Sequence, residues 1–397
     1  MDNILSEMKD MVNRLIRAAV CIFVLGLITI GGTMGAFAAD NSAQAAAVIE
    51  MQSGRVLYNK NADWELPMAS TTKIMTAYVA VKYGNLEDVA EVSENAAGVE
   101  GSSIYLEKGE YITLENLLYG LMLESGNDAA VAVAEQVGGS VERFVEMMNE
   151  TAADMGLTQT HFDNPNGLPS DTHYTTAREL AVITKYALAE PKFAEIVATA
   201  KKSIPWEGRE YNRELGNHNK LLSMLEGCIG VKTGYTQKAG RCLVSAVNRE
   251  GMTLICVTLN DPNDWNDHIS LHNEMFEKYK NTELISTNKI IDKVVAGFGL
   301  LGYCGVSPDK TYIFPVCDED KITTDTNISA DLNFPIKTGD VVGEGTVTVN
   351  GENYGSFNLI ANSDINLKPL TKGNAWNDFK SNLGYVFSFW LGIVKSF

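Results

Sequence analysis

The stretch Pro67-Met68-Ala69-Ser70-Thr71-Thr72-Lys73-Ile74-Met75-Thr76-Ala77 determines how the rest of the sequence is interpreted. If a helix begins near Ala69, the spacing of Ser70 and Lys73 places a hydroxyl and an amine on one face. Apolar or small neighbours would desolvate the lysine and so lower the pKa of its amine. A neutral amine can take the proton of a nearby serine and activate it as a nucleophile. The stretch is therefore compatible with a serine nucleophile near a helix N-terminus, but taken alone it favours a surface helix with an exposed lysine, because the spacing also occurs by chance.

Two further motifs follow this stretch in order, Ser125-Gly126-Asn127 and Lys232-Thr233-Gly234. The ordered trio resembles the signature of the penicillin-recognising serine acyltransferases. The flanks Asn164-Pro-Asn-Gly-Leu168 and Lys232-Thr-Gly-Tyr-Thr-Gln-Lys-Ala-Gly240 narrow the resemblance to the low-molecular-mass penicillin-binding proteins, the serine-type D-alanyl-D-alanine carboxypeptidases. The resemblance implies an α+β fold, in which an antiparallel sheet packs with a helical cluster as in penicillin-binding and β-lactamase-like transpeptidases.

The resemblance also implies roles for the residues of the three motifs. Ser70 would carry the acyl group, with Lys73 as its general base and Ser125 as a proton relay to the leaving amine. The remaining motif residues would bind the substrate. They are Asn127, Lys232, Thr233, Gly234 and Tyr235. The backbone amides of Ser70 and Tyr235 would form the oxyanion hole. The family requires no cofactor and no metal.

One position departs from the pattern of some relatives, which carry an arginine just beyond the last strand of the sheet. That arginine helps to hold the terminal carboxylate of the substrate, but the corresponding region, Asn260 to His268, contains none. The resemblance implies that Thr233 donates a hydrogen bond to this carboxylate, while its charged partner stays unassigned from the sequence. In the same region His268 and His272 are four residues apart, a spacing that suits a metal on a helix face. Because no third ligand is evident, a surface helix is the favoured interpretation.

The composition is that of a globular protein, and the N-terminal segment has the pattern of an export signal. The chain has 397 residues, 45% of them hydrophobic, and a formal net charge of −18, which argues against nucleic acid as a partner. Arg14 and Arg17 precede an apolar run that ends in Ala36-Phe37-Ala38, which predicts a cleaved signal peptide over residues 1–38, or else an uncleaved anchor. Of the 6 cysteines, Cys21 lies in this segment. Among the other five, Cys304 and Cys317 are a candidate disulfide pair.

The remaining sequence predicts three further segments. Alternating apolar patterns and helical periodicities predict the catalytic domain over residues 39–282. Short strand-like runs with no intervening helix predict an all-β domain of the sandwich type over residues 283–372. This domain contains a second copy of the third motif, Lys337-Thr338-Gly339, without the other two motifs, and we interpret it as unrelated to the chemistry. The apolar residues of 373–397 fall on one helical face, which predicts an amphipathic helix lying on the membrane; packing on the β domain is the alternative.

These features favour an exported carboxypeptidase on the outer face of the cytoplasmic membrane. Its substrate would be the peptidoglycan pentapeptide, and β-lactams would inhibit it. A β-lactamase shares the three motifs, but it would need a group that hydrolyses the acyl-enzyme rapidly, and residues 162–170 contain no glutamate. A non-enzymatic wall-binding protein is the third possibility. The intact motifs argue against it.

Overall fold

The computed structural model describes residues 41–296, 302–330, 332–367 and 375–394. The predicted signal peptide lies outside these residues. The predicted α+β architecture is confirmed. In the described part of the chain, helices pack with a five-stranded antiparallel sheet of order β2-β1-β9-β8-β7. Its strands are β1 (Ala45–Glu50), β2 (Val56–Lys60), β7 (Cys228–Thr236), β8 (Gly240–Arg249) and β9 (Met252–Leu259).

The helices that position the catalytic motifs are α1 (Lys73–Tyr83), α3 (Leu114–Leu123) and α4 (Asn127–Gly138). Most other helices of this domain cover the sheet or complete the cluster. They are α2 (Glu94–Ala97), α5 (Val141–Asp154), α6 (Ala177–Leu188), α7 (Pro191–Ala198), α8 (Leu221–Met224) and α9 (Asp264–Lys278). Helix starts follow ordinary capping rules: Thr113 accepts a hydrogen bond from Asn116, and Thr176 accepts one from Glu179. The short pairs β3 (Val89–Glu91) with β4 (Tyr111–Thr113), and β5 (Lys201–Ile204) with β6 (Arg213–Gly216), complete the domain.

The core of this domain forms around α1, which packs against the other helices of the cluster. Eight residues of α1, Lys73 among them, are buried. A helix that is buried on most sides leaves little water around any polar group it carries, and this raises the cost of charging that group. The fold thus supplies the dry environment that the sequence predicts for the lysine.

Beyond α9 the chain forms a β domain, as predicted. A five-stranded sheet has the order β11-β12-β16-β15-β14, and β10 pairs with β13. The strands are β10 (Lys280–Ile285), β11 (Asp292–Ala296), β12 (Gly302–Pro308), β13 (Tyr312–Val316), β14 (Ile322–Ile328), β15 (Val341–Val349) and β16 (Glu352–Ala361). A buried ion pair, Arg55 to Asp320 at 2.6 Å, links this domain to the β1–β2 hairpin.

The tail contains the helix α10 (Ala375–Val394). Phe379, Leu383, Phe387 and Leu391 are exposed and follow one another at intervals of four, which places them on one face. The sequence also predicts membrane contacts for Trp376, Trp390 and Phe397, but the two tryptophan side chains and residue Phe397 lie outside the described set. In the part of the chain that the structure describes, no helix has the length and apolarity needed to cross a bilayer.

Candidate active site

Ser70 lies in a 3-10 turn, Ala69–Thr72, and α1 begins only at Lys73. The predicted start of a regular helix near Ala69 is thus wrong in detail. Ala69 has φ +48°, a left-handed conformation that a helix start does not adopt. The hydroxyl groups of Thr71 and Thr72 donate to the carbonyl oxygens of Met68 and Ala69, at 2.5 and 2.8 Å, and hold the tight turn. The turn projects Ser70 from the end of the helix.

Lys73 is fully buried, and its ammonium nitrogen Nζ has three oxygen neighbours. Ser70 Oγ is 3.0 Å away, Asn127 Oδ1 2.7 Å, and the backbone oxygen of Asn166 2.6 Å. Burial holds the pKa of Lys73 well below its usual value of 10.5, and the charge of Lys232 lowers it further. The carboxylate of Asp128 acts in the opposite direction. The predicted desolvation of the lysine is therefore present.

The three neighbours of Lys73 determine where its lone pair points once the amine is neutral. A neutral amine has two N–H groups. The oxygens of Asn127 and Asn166 can only accept hydrogen bonds, so they retain the two N–H groups. The third direction, which carries the lone pair, then faces Ser70 Oγ. The geometry lets Lys73 accept the proton of Ser70 without rearrangement.

The second motif lies at the N-terminal end of α4. Ser125 adopts φ +64° and lines the cleft beside Ser70. Asn127 is buried: its oxygen holds Lys73, and its amide nitrogen donates to the carbonyl of Glu100 at 2.7 Å. Asn127 thus orients the base; its substrate-binding role stays a prediction. Asp128 accepts hydrogen bonds from the backbone nitrogens of Ile104 and Leu106, which ties the neighbouring loop to α4.

The third motif lies on β7, which is an edge strand of the sheet. Lys232 is buried, and burial lowers the pKa of its ammonium group to about 7. Thr233 and Gly234 line the cleft. A Cβ atom on Gly234 would lie 3.0 Å from the backbone nitrogen of Ser70, so a larger residue would push the strand and the turn apart by a few tenths of an ångström.

A loop, Asn164–Leu168, closes the site on the side of Lys73. Asn164 Oδ1 accepts hydrogen bonds from the backbone nitrogens of Gly167 and Leu168, at 2.7 and 3.2 Å, which fixes a turn. The loop also supplies the carbonyl of Asn166 to Lys73, a contact that the sequence analysis missed because a backbone oxygen leaves no sequence signal. Gly167 packs directly against the carbonyl of Ala69.

The cleft in front of Ser70 has a volume of about 380 Å³. Its lining includes four residues of the three motifs, Ser70, Ser125, Thr233 and Gly234, together with Tyr235. The cleft is also lined by polar residues that were not predicted. They are Ser102, His218, Lys220, Arg241 and Asp264. Arg241 could have been found from the hairpin register, because it lies opposite Tyr235 across a short turn. The second motif copy, by contrast, lies in the β domain, where Lys337 pairs with Asp364 at 3.1 Å.

His268 and His272 are fully buried, so their interpretation as part of a surface helix is wrong. Both rings face the sheet, where Ser245 Oγ lies 2.6 Å from His268 Nδ1 and 2.7 Å from His272 Nε2. Burial lowers the pKa of both imidazoles, so both are neutral. The Cys256 thiol lies nearby, but burial raises its pKa well above the usual range. We interpret this cluster as a buried hydrogen-bond network.

Cys304 and Cys317, the candidate disulfide pair, are not bonded to each other. Both residues are free cysteines, as are Cys228, Cys242 and Cys256. Cys304 is buried on β12 within the core of the β domain, whereas Cys317 follows β13, which pairs with β10. Burial raises the pKa of both thiols, which keeps them protonated.

The sequence profile of the D-alanyl-D-alanine carboxypeptidases matches residues 33–263, more than half of the chain. The chain belongs to this family. A second profile, that of the C-terminal domain of penicillin-binding protein 5, matches residues 279–367. The resemblance to low-molecular-mass penicillin-binding proteins is therefore confirmed, and with it the assignment to the serine-type peptidases.

Individual D-alanyl-D-alanine carboxypeptidases are also similar to this chain over more than half of its length. The carboxypeptidase DacF of Bacillus subtilis is 32% identical over 86% of this chain and 91% of its own length. The carboxypeptidase of Streptomyces sp. strain K15 is 36% identical over 62% of this chain and 92% of its own length. The structure of penicillin-binding protein 5 from Haemophilus influenzae superimposes with a TM-score of 0.67 at 25% identity, covering 82% of this chain and 98% of that one.

Proposed function

We propose that the protein removes the terminal D-alanine from peptidoglycan stem pentapeptides through an acyl-enzyme on Ser70. The observation that carries the proposal is the set of three oxygens around Lys73, which directs the lone pair of the neutral amine at Ser70 Oγ. Membership in the family supports the substrate class.

Acylation begins when Lys73 takes the proton of the Ser70 hydroxyl. Oγ then attacks the carbonyl carbon of the penultimate D-alanine, and the backbone amides of Ser70 and Tyr235 donate to the oxyanion. The C–N bond breaks as the leaving amine receives a proton, which passes from Lys73 through the Ser125 hydroxyl. D-alanine leaves, and the peptide remains as an ester of Ser70. In the second step, Lys73 takes a proton from water, the resulting hydroxide attacks the ester, and Ser70 recovers its proton as the shortened peptide departs.

A β-lactam would follow the first half of this route. Its strained amide carbonyl would be attacked by Ser70, but the amine would stay attached to the acyl group. A β-lactamase would then hydrolyse the ester quickly. The loop next to Lys73, residues 162–170, contains no glutamate that could activate a water for this step, which supports the carboxypeptidase.

Intact-protein mass spectrometry after addition of penicillin tests the proposal. We expect a long-lived adduct in the wild type and none in Ser70→Ala, together with loss of D-alanine release. Rapid disappearance of the adduct would indicate a β-lactamase instead, and the absence of any adduct in the wild type would indicate a protein without acyl-transfer activity. Labelling of Ser70→Ala would show that another residue is the nucleophile.

We also propose where the enzyme works. Residues 1–38 would direct export, residues 39–282 would carry the chemistry, and residues 283–372 would serve as a spacer. Residues 373–397 would hold the enzyme on the outer face of the cytoplasmic membrane. The exposed apolar side chains of Phe379, Leu383, Phe387 and Leu391 support this arrangement, because burying apolar area is favourable by about 25 cal/mol per Å². With a net charge of −18, the chain would gain little from charge attraction to anionic lipid.

A further inference from the structure

The cleft contains a cation that the three motifs do not include. Arg241 lies on β8 directly opposite Tyr235 of β7. Paired residues of an antiparallel ladder project to the same face, and so do residues two apart on one strand. Arg241 therefore shares a face with Tyr235 and Thr233, and all three line the cleft in front of Ser70.

The guanidinium of Arg241 is held in a fixed orientation but keeps donors available. One terminal nitrogen donates to Asp264 Oδ1 at 2.8 Å. The ring of Trp265 lies 5.8 Å from its central carbon. Asp264 is itself fixed at the start of α9, where the backbone nitrogen of Trp265 donates to the same oxygen. Arg241 Nε is buried and finds no hydrogen-bond acceptor among the described residues, while the side chain as a whole is 41% exposed.

We propose that Arg241 binds the terminal carboxylate of the substrate, together with the hydroxyl of Thr233. The proposal rests on the proposed function, since it names the residue that recognises the free C-terminus in the same cleft. A guanidinium can hold a carboxylate with two parallel N–H donors, and here one terminal nitrogen stays clear of Asp264. Arg241 would supply from β8 the contact that some relatives obtain from an arginine beyond the last strand, where this chain has none.

The other cations near the cleft fit this role less well. Lys220 is exposed and lines the cleft, but a flexible ammonium offers no bidentate geometry. Lys232 is 1% exposed and donates to the carbonyl of Thr233 at 3.0 Å, so it contributes charge from beneath the surface.

The test compares two β-lactams that differ only in the carboxylate, a penicillin and its methyl ester, by the rate of adduct formation in intact-protein mass spectrometry. The measured quantity is the ratio of the free-acid rate to the ester rate within each variant. A loss of folding or of nucleophile activity lowers both rates equally and leaves this ratio unchanged. We expect the wild type to react at least about tenfold faster with the free acid. Arg241→Gln, which can still donate to Asp264, should bring the ratio close to one, because the reaction with the free acid slows more than the reaction with the ester.

Arg249→Gln is the matched control, because Arg249 lies on the same strand but outside the cleft, and it should keep the wild-type ratio. An unchanged ratio in Arg241→Gln, or a ratio lost in Lys220→Ala instead, would overturn the assignment. Equal loss of both rates in Arg241→Gln would also overturn it, since that is the result of a purely structural role. A wild type that reacts with neither compound would refute the proposed function itself, which separates the two failures.

Discussion

Gly167 provides a sharp test of how the Asn164–Leu168 loop supports the nucleophile. It adopts φ +87°, and a Cβ atom there would lie 2.0 Å from the carbonyl oxygen of Ala69 and 3.0 Å from the backbone nitrogen of Ser70. Real Cβ contacts are essentially never below 3.0 Å, so Gly167→Ala must separate the loop and the turn by about 1 Å. The atoms that would collide belong to the backbone. No side chain can move aside to relieve the clash.

The matched control is Gly156→Ala, because Gly156 has φ +76° and a Cβ atom there would meet nothing within 4 Å among the described residues. Both substitutions carry the left-handed strain, about 1 kcal/mol. Only Gly167→Ala adds the cost of overpacking, about 1–3 kcal/mol. Chemical denaturation should show this difference.

The larger effect of Gly167→Ala should be on chemistry. A displacement of about 1 Å at a catalytic group can reduce the rate about a hundredfold. Here it would move both Ser70 and the carbonyl of Asn166 that holds Lys73. We expect penicillin acylation to fall about a hundredfold in Gly167→Ala and to stay near the wild-type rate in Gly156→Ala. Equal acylation rates in the two variants would refute the reasoning that the loop positions the nucleophile.

Three further predictions concern the base, the third motif and the tail. The kcat/KM for a diacyl-D-Ala-D-Ala peptide should rise with pH as Lys73 loses its proton, and it should fall above about pH 7 as Lys232 loses its charge. Lys73→Arg should be inactive at every pH, because guanidinium does not deprotonate. Lys232→Ala should reduce that rate by orders of magnitude while Lys337→Ala, in the β domain, leaves it nearly unchanged; the reverse result would place the site at the second motif copy. A form that ends at Thr371 should keep full peptidase activity but no longer sediment with liposomes, and sedimentation without the tail would point to the β domain as the membrane contact.

The sequence predicted those parts of the site that depend on local pattern. The hairpin of β7 and β8 and the helix α4 follow from short-range periodicity and turn residues. The three-residue spacing of Ser70 and Lys73 in the sequence already places their side chains close together. The contacts that were missed depend on chain segments far apart in sequence. The Asn166 carbonyl reaches Lys73 across 93 residues. His272 reaches Ser245 across 27, and the residues between them give no indication that either ring is buried.

The two kinds of cation in the cleft suit two different tasks. Lys73 must lose its proton to act as a base, and its burial next to Lys232 favours this loss because both effects lower the pKa of its amine. A residue with such a lowered pKa would be a poor anchor for a carboxylate, because its charge would vary over the same pH range. A guanidinium group stays charged in proteins, and Arg241 is partly exposed, unlike the two buried lysines. When the terminal carboxylate of the substrate is paired with the guanidinium of Arg241, its negative charge is balanced. It then stabilises the protonated form of Lys73 less. Recognition of the C-terminus and activation of Ser70 can therefore operate at the same pH.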